Sequence, residues 1–387
     1  MEELLKNLIR CKTVSASPEK EEFEKACEII VKELERVDFE PEILEFTHPF
    51  KNIFAVKDFG REKTLAFVTH YDVVPPGDGW KTDPFEPVEK DGKIYGRGAS
   101  DDKAGIAAFI KAVAEIGESC FNLKFFCFAD EETGGANGIR KCIEKRKEIF
   151  GDVDAFYILD TTTEGVEIGA CGNVNGKIVI RGKGGHSAYP FRYENAVEKG
   201  ILLANKLMEF GKREEKHVSE RGVATKNPVS KHVWNRFSVT VFNGGVKSNV
   251  IPGYAEIKFN WRLIPEEDPF QRKKELEMEF EEWKKSLGAN AEMDFFAIHR
   301  GYITDEENEF VLKLKNVFEN VKKERAKLVV ELAATDGNLI YDTFKKPVMG
   351  FGPIDEDANI HGPNEFVRIR TLHLVKEIIK KMLKQNS

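Results

Sequence analysis

The apolar positions of this chain follow two periods that alternate along its length. Residues 2 to 10 and 18 to 36 place apolar side chains at i, i+3 and i+4, as in "EEFEKACEIIVKELERV", which predicts two amphipathic helices. From residue 65 the rhythm is strand, then helix. "LAFVTH" reads as a strand, and a loop with Gly and Pro follows it. "DDKAGIAAFIKAVAEIG" reads as a helix, "LKFFCFAD" as a strand, "NGIRKCIEKRKEIF" as a helix and "DAFYILD" as a strand. That order predicts an α/β sheet with parallel strands. Near Cys171 the texture changes. "GKIVIRGKGGHS", "RFSVTVFNGG" and "YAEIKFNWRLIP" alternate as strands do, with helices at about 193–211 and 268–287, so this stretch reads as a smaller α+β unit. From about 297 the first rhythm returns, with "NEFVLKLKNVFENV" as a helix, "KPVMGFG" as a strand and "RIRTLHLVKEIIKKMLKQ" as a closing helix. The expectation is a discontinuous parent domain, residues 1–172 and 297–387, into which residues 173–296 are inserted.

In an open α/β sheet ligands bind outside the carboxyl ends of the strands, and the polar residues of this chain collect there. His70 and Asp72 follow the first strong strand, and their spacing of two puts both on one face while Tyr71 turns away. Asp130, Glu131 and Glu132 follow "KFFCF", Asp160 follows "AFYIL", Asp101 and Asp102 precede a helix, and His361 follows "PVMGFG". Singly, each has an ordinary explanation: an acid before a helix caps it, and consecutive acids are usually solvated. Together, so many carboxylates at one sheet edge would repel one another unless cations held them. Two histidines and several carboxylates, with no cysteine among them, suit zinc or another first-row divalent ion. A glutamate beside a ligand glutamate would be a natural general base. "GRGASDDK" is not a phosphate-cradling G-x-x-x-x-G-K-[ST] loop and no G-x-G-x-x-G follows a strand, which favours hydrolysis over phosphoryl or hydride transfer.

Length and charge narrow the field further. A chain of 387 residues exceeds the usual reach of one hydrophobic core, so two domains are expected. The formal charge of -7, from 66 acidic and 59 basic residues, repels a phosphate backbone and argues against nucleic acid as a partner. "MEELLKNLIRCKTVS" has no uninterrupted apolar run and is not expected to be a secretory signal. No stretch has the apolar length of a membrane span, so no membrane partner is expected. The cysteines, Cys11, Cys27, Cys120, Cys127, Cys142 and Cys171, include no C-x-x-C pair, which argues against a disulfide framework or a thiolate zinc site and fits a reducing cytoplasm.

Four stretches in order, "THYDVVPPGDGWKTDPFEPVEKDGKIYGRGASDDKAG", "FADEETGGANGI", "GKGGHSAYP" and "GGVKSNVIPGYAEIKFNWR", and a fifth, "HGPNEFV", carry a resemblance. The chain resembles the dizinc peptidases and deacylases that include succinyl-diaminopimelate desuccinylase, acetylornithine deacetylase, aminoacylase and bacterial glutamate carboxypeptidase. The resemblance spans residues 69 to 367 and implies a zinc-peptidase-like α/β domain with a mixed, mostly parallel sheet. It also implies a ferredoxin-like α+β insert that pairs subunits into a homodimer and acts as a lid. It implies two zinc ions per subunit, with cobalt or manganese as substitutes. His70, Asp101 and Asp160 would hold one ion, and Asp101, Glu132 and His361 the other. Glu131 would be the general base and Asp72 would orient His70, as a carboxylate commonly does for a ligand histidine. The Asp101–Asp102 peptide stands at the position of the family's cis bond. His186 resembles the histidine that reaches the partner subunit's site to steady the oxyanion, Asn249 a companion hydrogen-bonding residue, and Arg262 the grip on a substrate carboxylate.

Two departures from that pattern matter. "LDTTT" stands where relatives often carry Glu-Pro-Thr, so Asp160 replaces a longer acid. "ELAATDGNL" stands where many have Gly-Gly-Thr-Ser-Asp, which affects the substrate contacts expected at Thr335 and leaves Ala333, Ala334 and Asp336 without assigned roles. The activity implied is hydrolysis of the amide bond of an N-acyl amino acid, of the desuccinylase or deacetylase kind. A carboxypeptidase or dipeptidase acting on short peptides at the same site is the alternative. A catalytically silent binding module is a third reading, one that predicts broken ligands, whereas all five ligands, the base and His186 are present.

Overall fold

The computed structural model describes residues 1–225 and 229–384. Among them the largest sheet has eleven strands, mixed in direction and parallel at its centre. Thr64–His70 runs parallel to Asn122–Phe128 on one side and to Ala155–Ile158 on the other, and Val348–Gly350 continues the parallel run. Strand neighbours with both faces covered should be apolar at every position rather than at alternate ones. Thr64–His70 is buried throughout, and its residues divide between two cores. Leu65 and Phe67 enter one with Phe125, Tyr157 and the helices Lys20–Glu35, Lys103–Ala114 and Ile369–Leu383. Ala66 and Val68 enter the other with Phe126, Phe128, Phe156 and Ile158. Aromatic rings fill both: Phe109 stacks on Phe125 at 4.6 Å, and on the opposite face Phe126 stacks on Phe150, also at 4.6 Å.

A second sheet of four antiparallel strands runs Arg236–Gly244, Tyr254–Leu263, Gly172–Arg181, Asn290–His299 in spatial order. Here the burial alternates, as along Tyr254–Leu263, because one face meets helices Ala196–Glu214 and Pro269–Leu287 while the other faces outward. Both helices begin on a side-chain cap: Asn195 accepts from the backbone N–H of Val197 and Glu198, and Asp268 from that of Phe270. Helix Pro269–Leu287 ends at Gly288 in the left-handed region (φ 54°), the usual C-terminal stop.

Several elements differ from the sequence expectation. The segment 137–150 forms helix Ile139–Lys145 and a separate 3-10 turn Lys147–Phe150, because Arg146 leaves the helical region (φ -138°, ψ 40°). The closing helix is Ile369–Leu383; of the residues expected in it, Gln385 lies outside the described ones. A hairpin of Glu40–Thr47 and Phe50–Lys57 extends one edge of the large sheet. At the other edge Val218–Val223, from within residues 173–296, pairs parallel to Leu328–Glu331 and antiparallel to His232–Trp234. No helix among the described residues is long and apolar enough to cross a membrane, and all six cysteines are free.

Candidate metal centre and adjoining cleft

The carboxyl ends of the central strands bring two histidines and several carboxylates together. His70, the last residue of Thr64–His70, is buried, and its Nε2 lies 3.1 Å from Asp101 Oδ1 and 3.6 Å from Asp160 Oδ2. His361 Nε2 lies 3.1 Å from the other oxygen of Asp101 and 3.0 Å from Glu132 Oε2. Asp101 therefore stands between two triads, His70–Asp101–Asp160 and Asp101–Glu132–His361, in each of which one ligand atom per residue lies within 4.8 Å of the others. The peptide between Asp101 and Asp102 is cis. His70 Nε2 is buried without a well-formed hydrogen bond. A nitrogen ringed by carboxylates in that way fits the donor set of a divalent cation of the zinc type. In a third His-and-acid group, Glu214, His217 and Glu267, both acids are already ion-paired with Arg272, and His217 bonds to Glu267.

Two buried carboxylates hold this arrangement. Asp72 accepts the backbone N–H of Glu131 at 3.1 Å on one oxygen and that of Glu132 at 3.2 Å on the other. The same residue faces His70 Nδ1, through its carbonyl at 3.1 Å and its carboxylate at 3.4 Å. Glu365 is fully buried and ion-paired with Arg97 at 2.6 Å. It accepts N–H bonds from Gly98 (3.1 Å), Ser100 (2.9 Å) and Asp101 (3.2 Å), while Arg97 donates to the carbonyls of Pro76 and Gly362. This pair ties together the loops that follow His70, precede Asp102 and contain His361. Glu365 stands inside "HGPNEFV" with partners more than 260 positions away, so no local spacing marks it.

Burial sets the charges. It pushes the Glu131 carboxyl well above its ordinary value, and Asp336, Asp160 and Glu132 add repulsion. Burial, then Asp101, carries Glu132 up to about 7 against the hydrogen bond with His361, and Asp160 is raised for similar reasons. Asp101 goes the other way: burial would raise it, but the neighbouring imidazoles of His361 and His70 prevail. Hydrogen bonds with Asp101 and Glu132 lift His361 to about 10. A divalent ion bound here would displace protons from these groups.

Residues 66–385 match the model of peptidase family M20/M25/M40. The chain belongs to that family. Among its relatives, a succinyl-diaminopimelate desuccinylase of a Nitratiruptor species is 35% identical over 221 residues, 56% of this chain and 57% of that protein. An uncharacterised metallohydrolase of Methanocaldococcus jannaschii is 31% identical over 354 residues, 86% of this chain and 83% of that one. A solved M20 family metallo-carboxypeptidase from Sulfolobus solfataricus is similar with a TM-score of 0.83 at 17% identity, covering 98% of this chain and 97% of its own. The protein is thus an M20 metallohydrolase, a hydrolase of C–N bonds.

In this M20 chain the remaining residues expected at the site lie on other elements. Thr335 caps helix Asp336–Phe344 in a capping box with Asn338, and it lines a cleft shared with Glu131, Gly134, Arg140, His299 and Asp336. Burial pushes the Asp336 carboxyl up to about 7. His186 is exposed on a two-pair ladder, Gly185–His186 against Val250–Ile251, where Asn249 accepts the N–H of Ser187 through its carbonyl. Among the described residues no hydrogen bond joins His186 to the triads. Arg262 is half-buried in register with Arg236, and its Nε donates to Asn260 Oδ1 at 3.2 Å. Arg140 and His299, which touch across the cleft, carried no motif in the sequence.

Proposed function

We propose that this M20 hydrolase cleaves the amide bond of N-acyl amino acids, of the desuccinylase or deacetylase kind. Two divalent ions, zinc first, would be held by His70, Asp101 and Asp160 and by Asp101, Glu132 and His361. The observation that carries the reading is Asp101, whose two oxygens each face a different histidine at 3.1 Å. When bound, such a pair of ions polarises the scissile carbonyl and acidifies an attacking water. Glu131, placed by its backbone bond to Asp72, would take a proton from the attacking water and pass it to the leaving amine. Asp72 fixes the orientation of His70 while holding the base and the neighbouring Glu132 at a set spacing. His186 of a second subunit donates to the developing oxyanion, with Asn249 beside it, and Arg262 receives a carboxylate of the substrate. The exposed His186 supports a homodimer built through residues 173–296. A carboxypeptidase or dipeptidase at the same centre is the second reading, supported by the family's description as peptidases.

The test is turnover of N-succinyl, N-acetyl and dipeptide substrates by the zinc-loaded protein, with a chelator as control and metal counted per subunit. The proposal expects two ions per subunit and cleavage of an N-acyl amino acid that chelation abolishes. Cleavage of dipeptides alone selects the second reading, and a chain that takes up no metal defeats both.

A further inference from the structure

Arg140, Arg236 and Arg262 are arginines of this acidic chain with no carboxylate within ion-pair reach among the described residues; Arg262 stands opposite Arg236 in the strand register, and its charge acts on His299, which lines the cleft. Arg236 is satisfied by carbonyls, donating to Leu332 O at 2.8 Å and Trp234 O at 3.2 Å. Arg262 makes the single bond to Asn260 described above. Arg140 is the one that lines the cleft with Glu131. Its Nε donates to the carbonyl of Gly134 at 3.2 Å, and its Nη2 meets His299 Nε2.

The histidine's state follows from its other nitrogen. His299 Nδ1 lies 2.6 Å from Asn173 Oδ1, so the ring proton sits there and Nε2 offers its lone pair to Arg140. Burial first, then the charges of Arg140 and Arg262, push the His299 pKa down to about 4, so the imidazole is a neutral acceptor. A neutral histidine and a carbonyl orient the guanidinium without cancelling its charge. A guanidinium held in this way presents its free N–H edge to a planar carboxylate.

We propose that Arg140, set by His299 and Gly134, is a subsite for a second carboxylate of the substrate, separate from the one assigned to Arg262. The preferred substrates are then amides that carry two carboxylates. This rests on the amide-hydrolase reading, and the assays below fail separately for the two. Succinate and butyrate, a dianion and a monoanion of equal chain length, are titrated calorimetrically into the zinc-loaded protein, its R140Q and R140K variants and H299A. In parallel the hydrolysis of N-succinyl-L-alanine and N-butyryl-L-alanine is followed.

Succinate is expected to bind about thirtyfold more tightly than butyrate, the worth of one charge-assisted contact. In R140Q that preference falls to about threefold, R140K recovers part of it, and H299A lies between. The KM for the succinyl substrate rises in R140Q in the same proportion. A preference that survives in R140Q, or a wild-type protein that binds both acids equally, overturns the subsite. If the Arg140-dependent preference for succinate holds while neither amide is cleaved, the subsite stands and the amide-hydrolase reading falls.

Discussion

The carboxylate edge of the large sheet and the His186 ladder of the small one are built in opposite ways. At the sheet edge buried carboxylates behind the cluster hold several of the proposed groups. Asp72 fixes His70, Glu131 and Glu132 together, and Glu365 fixes the backbone around Asp101 while paired with Arg97. His186 sits on two residue pairs of ladder, exposed, with its Nδ1 accepting the N–H of Ala188. The difference teaches where preorganisation is needed. Ligands for closely spaced cations must be fixed before the ion arrives, because a loose shell costs both affinity and selectivity. If His186 serves a second subunit's site, as proposed, it can remain at the surface until that subunit docks.

The largest expected effect lies at the fixed edge. Glu131→Gln should lower kcat by about 10³-fold, as loss of a general base does, while metal analysis still finds two ions per subunit; an unchanged rate would remove Glu131 from its role. His361→Ala should instead cost one ion of the two, measured by elemental analysis. His186→Ala should lower kcat about 10²-fold, the scale of one oxyanion donor, with metal content and thermal stability as in the native protein. If that variant lost metal, the two regions would not be independent.

Glu365→Gln tests whether the edge is as over-determined as it looks. Metal affinity should weaken roughly tenfold to a hundredfold, the scale for groups that orient ligands, and stability should drop by about 3 kcal/mol as Arg97 is left with a buried charge. Isothermal titration with zinc and a denaturant midpoint measure the two effects. The smallest effect concerns His299. Its pKa of about 4 lies below the unfolded value of 6.5, so the stabilisation is full above pH 6.5 and is lost as the pH falls from there towards 4. Melting curves across that range should be flatter for His299→Gln than for the native chain.

What the sequence disclosed follows the reach of each interaction. Thr64–His70 was legible because a strand covered on both faces must be apolar throughout, and His70 stands where that run stops. The long alternation of Tyr254–Leu263 was legible for the converse reason. Val218–Val223 was not, since "VSERGV" carries no clear period and joins the sheet through a backbone ladder indifferent to side chains. The helix expected over 137–150 was broken at Arg146, whose side chain leaves to pair with Glu42 and Glu148. Residues close to the ends of strong strands were singled out, whereas Glu365, Arg140 and His299, whose contacts run to other segments of the chain, were not. Thr335 was expected as a substrate contact; its visible work is to cap a helix, a role that local sequence cannot separate from binding.

Asp72 carries one further implication. Because a single buried carboxylate holds both His70 and the backbone of Glu131 and Glu132, one substitution at Asp72 would disturb all three positions at once. Arg140, His299 and the loop from Ala333 to Asp336 lie on other segments of the chain. Glu131 lines the cleft together with Arg140, His299 and residues of that loop, so the wall of the cleft joins a group that Asp72 positions to side chains that Asp72 does not hold.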